Sequence, residues 1–272
     1  MLHDRDPLDP ARLSAQLPLG WRLECVPETG STNADLLARA EAGPYETGHE
    51  AGLVLTAERQ NAGRGRLDRH WESPAGAGLT FSMLLRPAVP TQRWGWLPLL
   101  TGLVLAETVG EQARLKWPND LLLGSSGQKA AGILVQSAGL TTSRPAVVVG
   151  IGLNVSTTAD ELPIPAATSL ALQGIEMSRA EVLVGFVGRF ARRYADWTAA
   201  DGDPVASGVA ADYRSRCATL GSEVRAELPG RVISGTATDL DDDGRLLLRA
   251  ADDGRTVSVG AGDITHLRPA TG

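Results

Sequence analysis

The stretch VVVGIGLNV, residues 147–155, is apolar and rich in β-branched side chains, as a strand buried on both faces must be. Its two glycines leave room for another backbone or a ligand to approach, and Asn154 brings a paired donor and acceptor suited to a base edge. A buried strand needs neighbours. GLVLTA at 52–57 and LTFSMLL at 79–85 supply two upstream, and the segments 121–123 and 131–135 flank a GSSGQ turn as a hairpin. Helices punctuate the strands. Ser31-Thr32-Asn33 offers N-cap residues ahead of ADLLARAEA, with Gly43 as the stop and Pro44 beyond it. Residues 97–114 have helical spacing and length. Ser178 and Glu181 have capping-box spacing, and Leu183, Val187, Phe190, Tyr194 and Trp197 then recur every three or four residues as a core-facing stripe.

Beyond about residue 220 the pattern changes to short β segments around two Asp-Gly turns, Asp243-Gly244 and Asp253-Gly254, both strong hairpin signals. The chain reads as an α+β protein: a lead-in at 1–20 carrying Pro7, Pro10 and Pro18, a main domain at 21–220, and a small all-β domain of SH3-like size at 221–272. Only Cys25 and Cys217 are present, which excludes a disulfide framework or a CxxC metal site. A net charge of −6 argues against a general nucleic-acid binder, which needs a basic face. The N-terminus lacks a signal peptide's apolar core, and no apolar run approaches the ~20 residues of a membrane span. The sequence therefore reads as cytoplasmic, with no membrane and no specific nucleic acid among its partners.

Four segments carry chemistry. In QNAGRGRLDRHW, residues 60–71, Arg64, Arg66 and Arg69 alternate with small or flexible residues directly after a strand. Glycines there free backbone N–H groups, and arginine offers bidentate donors to carboxylate or phosphate. It is not a Walker A loop, since no Gly-Lys-Ser/Thr ending exists. In KWPND, 116–120, Pro118 biases Trp117 toward an extended backbone, projecting the indole as a flat platform. Asp120 there has the chemistry to bind Mg²⁺ or accept a proton. In KAAGILV, 129–135, Lys129 leads into an apolar strand, where its ammonium can offset charge developing in a dry pocket. GIGLNV, 150–155, is the fourth; tight core packing is its plainer reading.

Taken together, STN at 31–33, QNAGRGRLDRHW, KWPND, KAAGILV and GIGLNV closely resemble the biotin–protein ligases, in that family's order, and span most of residues 30–155. The hairpin tail resembles the family's C-terminal SH3-like β-barrel. The resemblance implies a mixed-sheet catalytic domain of the biotin/lipoate ligase type. It also implies an enzyme that makes biotinyl-5′-AMP from biotin and ATP with Mg²⁺, then passes biotin to one lysine of a carboxylase's biotin-carrier domain of the acetyl-CoA carboxylase type. Family members are monomers or homodimers.

By the same resemblance, Ser31, Thr32 and Asn33 meet biotin's ureido ring, although one of them also serves as the helix cap. Gln60 adds a polar contact. Gly63, Arg64, Gly65 and Arg66 form the loop that closes over biotin and the adenylate phosphate, and Trp71 is an apolar wall that orders with it. Lys129 faces biotin's carboxylate and the α-phosphate, with Gly132 beside it. Asn154 and Trp117 are adenine-side or nearby packing contacts, and Arg268 matches a C-terminal arginine near the nucleotide. Asp120 is the residue for Mg²⁺ or for deprotonating the acceptor lysine.

The chemistry accounts for these residue types. Carboxylate and ATP repel one another, so attack on the α-phosphorus needs cations. The mixed anhydride hydrolyses readily, so a loop should order over it and exclude water. Two departures from the family pattern stand out: Asp68 where a glycine is common, and a slightly long segment, LLLGSSGQ, between Asp120 and Lys129. With thirty residues before Ser31, and three prolines among the first twenty, a DNA-binding domain is not expected. A lipoate–protein ligase of the same fold is the alternative enzyme.

Overall fold

The computed structural model describes residues 5–42, 52–142, 144–228 and 230–261, the backbone of 266–269, and for Asp68 the backbone alone. A seven-stranded mixed sheet runs β1 (Trp21–Thr29), β2 (Gly52–Gln60), β3 (Gly78–Leu85), β7 (Ala146–Asn154), β6 (Gln128–Ala138), β5 (Asp120–Leu123), β4 (Arg114–Lys116) in that spatial order. β1 and β2 are parallel and every other pair is antiparallel. The expected central strand is central: all nine residues of β7 are buried.

Strand periodicity divides β7 between two faces. Val147, Val149, Ile151 and Leu153 enter the main core with α3 (Leu97–Val109) and α4 (Arg179–Ala199). Ala146 and Val148 enter a smaller cluster with Leu36 of α2 (Thr32–Glu41), Leu53, Leu55 and Leu84. On that second face the rows across β3, β7 and β6 run Leu84–Val148–Gln136, Ser82–Gly150–Leu134 and Thr80–Gly152–Gly132. Side chains shrink along the face, so the helix covers its large end and a hollow opens over its glycines.

α2 starts where its caps predict, with Ser31 as N-cap; the Gly43-Pro44 stop lies outside the described residues. α3 is shorter than the predicted 97–114. Gly110, at φ 122°, ends it, and Arg114 already belongs to β4. Eleven of its thirteen residues are buried, so it is a core helix apolar all round. α4 carries the predicted capping box between Ser178 and Glu181. Leu183, Val187, Phe190 and Trp197 are fully buried and Tyr194 partly so, and Phe186, Phe190 and Tyr194 stack in series.

The lead-in is packed. α1 (Pro10–Ser14) is capped by Asp9, and Leu8 and Leu13 join the main core. β1 and α5 (Val209–Arg216) are further elements that periodicity did not announce. The tail forms a five-stranded antiparallel sheet in the order β11-β10-β9-β8-β12, comprising β8 (Glu223–Leu228), β9 (Arg231–Leu240), β10 (Leu246–Ala250), β11 (Thr256–Val259) and β12 (His266–Pro269). Its two Asp-Gly turns sit where predicted, with Gly244 at φ 76° and Gly254 at φ 71°. Among the described residues no helix is long and apolar enough to cross a membrane.

Candidate active site

The hollow over the glycine rows is a cavity of about 380 Å³. It is lined by Ser31, Thr32, Asn33, Gln60, Arg64, Gly65, Arg66, Trp71, Asp120, Lys129, Gly132 and Asn154, so five separate segments of the sequence meet in one place.

One end is polar. Thr32 N–H donates to Gln60 Oε1 at 2.8 Å, which ties the first turn of α2 to the end of β2. The Ser82 hydroxyl donates to Asn33 Oδ1 at 2.6 Å. The Thr32 and Ser82 hydroxyls lie 2.7 Å apart, either able to donate, and Thr32 Oγ1 also lies 3.1 Å from Gln60 Oε1. Asn33 Nδ2 donates onward to Gln136 Oε1 at 2.9 Å. Gly150 permits this arrangement, since a β-carbon there would overlap Asn33 Oδ1. Ser82 and Gln136 were not visible as functional in the sequence; only their strand register with Gly150 and Val148 reveals them.

The other end is cationic. Residues 63–71 fold back as a small hairpin: Trp71 N–H donates to Gly63 O at 2.9 Å, Gly65 N–H to Arg69 O at 2.6 Å, and Arg64 bridges His70. Gly63 does not line the cavity. It is buried at the hairpin's neck, where a β-carbon would overlap the Trp71 carbonyl. The tip is a tight turn at Arg66–Asp68 whose left-handed residue is Leu67, φ 57° and ψ 46°. The departure from the family pattern at Asp68 is therefore accommodated one residue earlier than the sequence suggested. Arg66 Nη1 donates to Asn119 Oδ1 at 3.3 Å and Nη2 to the Ala261 carbonyl. Burial lowers the Arg66 pKa, Asp120 opposes that shift, and Arg69 adds to it; the guanidinium stays charged throughout the working range.

Lys129 reaches the site through a bulge. Leu121 pairs with Ala131 but Leu122 pairs with Lys129, so Ala130 is the extra residue. Without it, Lys129 and Gly132, three apart, would face opposite sides of the sheet. With it they share the cavity face, and a β-carbon on Gly132 would stand 3.3 Å from Lys129 Nζ. The ammonium lies 2.6 Å from Asp120 Oδ1 and 5.9 Å from the Trp71 ring centroid. The Trp71 indole rests on the paired glycines Gly132 and Gly152, with its Nε1 buried and unbonded. Asn154 commits Nδ2 to Thr168 O at 2.9 Å, which fixes the carboxamide plane at the end of β7.

One further predicted residue is not gathered here. Trp117 is 1% exposed and absent from the cavity wall, and its Nε1–H donates to Gly244 O at 3.0 Å. The indole is a core group against the C-terminal sheet rather than a platform for adenine. Arg268 lies in β12, opposite Arg225 of β8; its side chain is outside the described residues. Among the described residues no cluster of three or more His, Cys, Asp or Glu is arranged to hold a metal ion. Asp120 offers one carboxylate, its Oδ1 buried and paired with the Lys129 ammonium. Such a donor set fits a Mg²⁺ carried mainly by a nucleotide's own phosphates.

The fold and site define a class. Residues 40–154 match the Biotin/lipoate A/B protein ligase family, and residues 219–267 the Biotin protein ligase C terminal domain. The chain is 44% identical to the Biotin--[acetyl-CoA-carboxylase] ligase of Mycobacterium tuberculosis, with 97% of each chain covered. It is 34% identical to the protein of the same name from Paracoccus denitrificans, covering 81% of this chain and 91% of that one. The biotin protein ligase of Aquifex aeolicus, solved in complex with biotin and ATP, superposes with a TM-score of 0.69 at 27% identity, over 91% of this chain and 99% of that one. The chain belongs to the biotin protein ligases.

Proposed function

We propose that this protein activates biotin with ATP and transfers it to one lysine of a carboxylase's biotin-carrier domain, in the cytoplasm. The observation that carries this reading is a single cavity with hydrogen-bonding groups at one end and cations at the other. A ureido ring has two N–H donors and one carbonyl acceptor, which suits Ser31, Thr32, Asn33 and Gln60. A lipoyl dithiolane has neither donor nor strong acceptor and would leave those groups unpaired, which favours biotin over lipoate.

In the first step a biotin carboxylate oxygen attacks the α-phosphorus and pyrophosphate leaves. Lys129 is assigned to the carboxylate and α-phosphate, and Arg64 and Arg66 to the adenylate phosphate, so that charge is offset as it develops. Mg²⁺, taken up with the nucleotide and held on the protein side by Asp120, would supply further charge neutralisation. In the second step the acceptor lysine's amine attacks the acyl carbon and AMP leaves; Asp120 is the carboxylate in reach of that amine's proton. Trp71 walls the ligand from water, Asn154 and Arg268 are assigned to the nucleotide side, and Gly132 and Gly65 give close backbone approach. Residues 21–220 are the catalytic unit and 221–272 its C-terminal partner domain.

The test is incubation with ATP and either biotin or lipoate, with the acyl-adenylate read by mass spectrometry, followed by transfer to an acetyl-CoA carboxylase carrier domain. Biotinyl-AMP and a carrier heavier by one biotinyl group are expected. Lipoyl-AMP alone would overturn the reading.

A further inference from the structure

Trp117 and Asn119 belong to a motif the reaction does not fully use: Trp117 faces away from the cavity to the C-terminal sheet, while Asn119 stands in the cavity wall beside Arg66. The turn between β9 and β10 is seated in a socket on the catalytic unit. Trp96 Nε1–H donates to Asp242 O at 2.8 Å, Arg93 Nη1–H to the same carbonyl at 3.3 Å, and Trp117 Nε1–H to Gly244 O at 3.0 Å. Gly95 and Gly244 allow the close fit: a β-carbon on Gly95 would overlap Asp243 O, and one on Gly244 would stand 3.0 Å from Leu99 Cδ1. Trp117 N–H is also fixed, on Thr219 Oγ1 at 2.9 Å.

Two residues on, Asn119 is held on three sides. Its Nδ2 donates to Ile133 O at 3.0 Å, Ile133 N–H returns to its carbonyl at 2.9 Å, and its Oδ1 accepts from Arg66. Arg66 in turn reaches Ala261 O, just beyond β11. The C-terminal domain thus touches the anion loop directly at Ala261, and its β9–β10 turn holds Trp117, two residues before the Asn119 that Arg66 reaches.

We propose that Trp117 and Asn119 are positioning residues: the seated turn holds Trp117, Trp117 fixes Asn119, and Asn119 sets the guanidinium of Arg66 over the cavity. The consequence for ATP rests on the reading of the cavity as a biotinyl-adenylate site; the contact relay itself does not. Its single-atom link is the Trp117 indole N–H, which Trp117→Phe removes while keeping an aromatic ring in the core.

Trypsin tests the relay in the ligand-free full-length protein, because Arg64 and Arg69 at the loop are exposed. Cleavage after Arg64, Arg66 and Arg69 is followed by mass spectrometry beside the thermal midpoint. Trp117→Phe and Asn119→Ala should each speed loop cleavage about tenfold, beyond any change in the global unfolding population. The double variant should be no faster than either single one, as expected for links in one chain. In the ATP-dependent reaction the same variants should raise KM for ATP several-fold more than KM for biotin. Loop cleavage at the wild-type rate in Trp117→Phe, or effects that multiply in the double variant, would overturn the relay. Should Trp117→Phe not accumulate folded, wild-type cleavage in Asn119→Ala does so alone. Absence of biotinyl-AMP from the wild type would sink the catalytic reading while leaving the cleavage result decisive for the relay.

Discussion

Gly152 of β7 lies so close beneath the Trp71 indole that a β-carbon at Gly152 would overlap ring atoms Cε2 and Nε1. Glycine is therefore the only residue there that lets the loop's tryptophan rest on the sheet. Gly152→Ala should lift the indole and misplace the hairpin it anchors. Overpacking a well-filled site costs about 1–3 kcal/mol, so biotin affinity should fall roughly 5- to 150-fold with the fold retained. Calorimetric titration with biotin measures this directly. Trp71→Ala combined with Gly152→Ala should bind no worse than Trp71→Ala alone; additive losses would show that the seat serves something other than the indole.

Lys129 and Asp120 form a close pair on the cavity wall. Lys129→Ala removes the cation assigned to the α-phosphate and leaves Asp120 as an uncompensated negative charge beside the incoming carboxylate. Loss of one such electrostatic stabiliser costs about 10²–10³ in rate, and the residual carboxylate should push the loss to the upper end. Exchange of labelled pyrophosphate into ATP, which needs biotin but no carrier protein, isolates this step. An exchange rate within tenfold of wild type would remove Lys129 from the chemistry.

Much of this site was legible in the sequence because strand period and glycine position carry real geometric information. Gly150 and Gly152 are two apart, so they had to share a face, and that face is the cavity floor. The neighbours of that floor were not legible. Ser82 and Gln136 are ordinary strand residues whose role arises only from cross-strand register with β7, which no single-chain pattern specifies. Lys129 was named by resemblance, but the bulge at Ala130 that turns it inward leaves no local signal. Trp117 was misread because a tryptophan before proline says nothing of what will cover it, and its cover comes from Gly244, 127 residues away. β1 escaped notice for a different reason: it is an edge strand carrying Pro27, with only Leu23 fully buried, so its alternation is weak.

The anion hairpin carries its own strain at Leu67, whose left-handed backbone costs a non-glycine residue about 1–2 kcal/mol. The Leu67 side chain is about half exposed, at 52%, so packing returns little of that cost. Leu67→Gly should relieve the strain and slow tryptic cleavage of the ligand-free loop. Leu67→Val, β-branched and least tolerant of positive φ, should speed it. Both rates are read from the same digestion course. Equal rates in the two variants would mean that the turn conformation does not govern the loop's exposure.

Arg5 and Glu161 join the N-terminal segment to the loop that leads to Pro163 and Ile164 at the cavity wall. Arg5 Nη2 also donates to Ser156 O at 3.0 Å, so one guanidinium holds two points of that loop. Its hydrogen bonds, joined by one from the Thr158 backbone, bring the Glu161 carboxyl from 4.5 down to about 2. A carboxylate whose folded pKa is depressed stabilises the fold above its unfolded pKa, and that contribution fades as pH falls through the folded value. The difference in stability between wild type and Arg5→Ala should therefore be level above about pH 5, shrink from 4.5 downward, and below about 2 fall to what the Ser156 hydrogen bond alone contributes. Because both groups are partly solvated, with side chains 36% and 29% exposed, the difference should be small and should shrink further in high salt. Urea denaturation at a series of pH values measures it. A difference that stays level on acidification would show that Arg5 acts through the Ser156 carbonyl and not through Glu161.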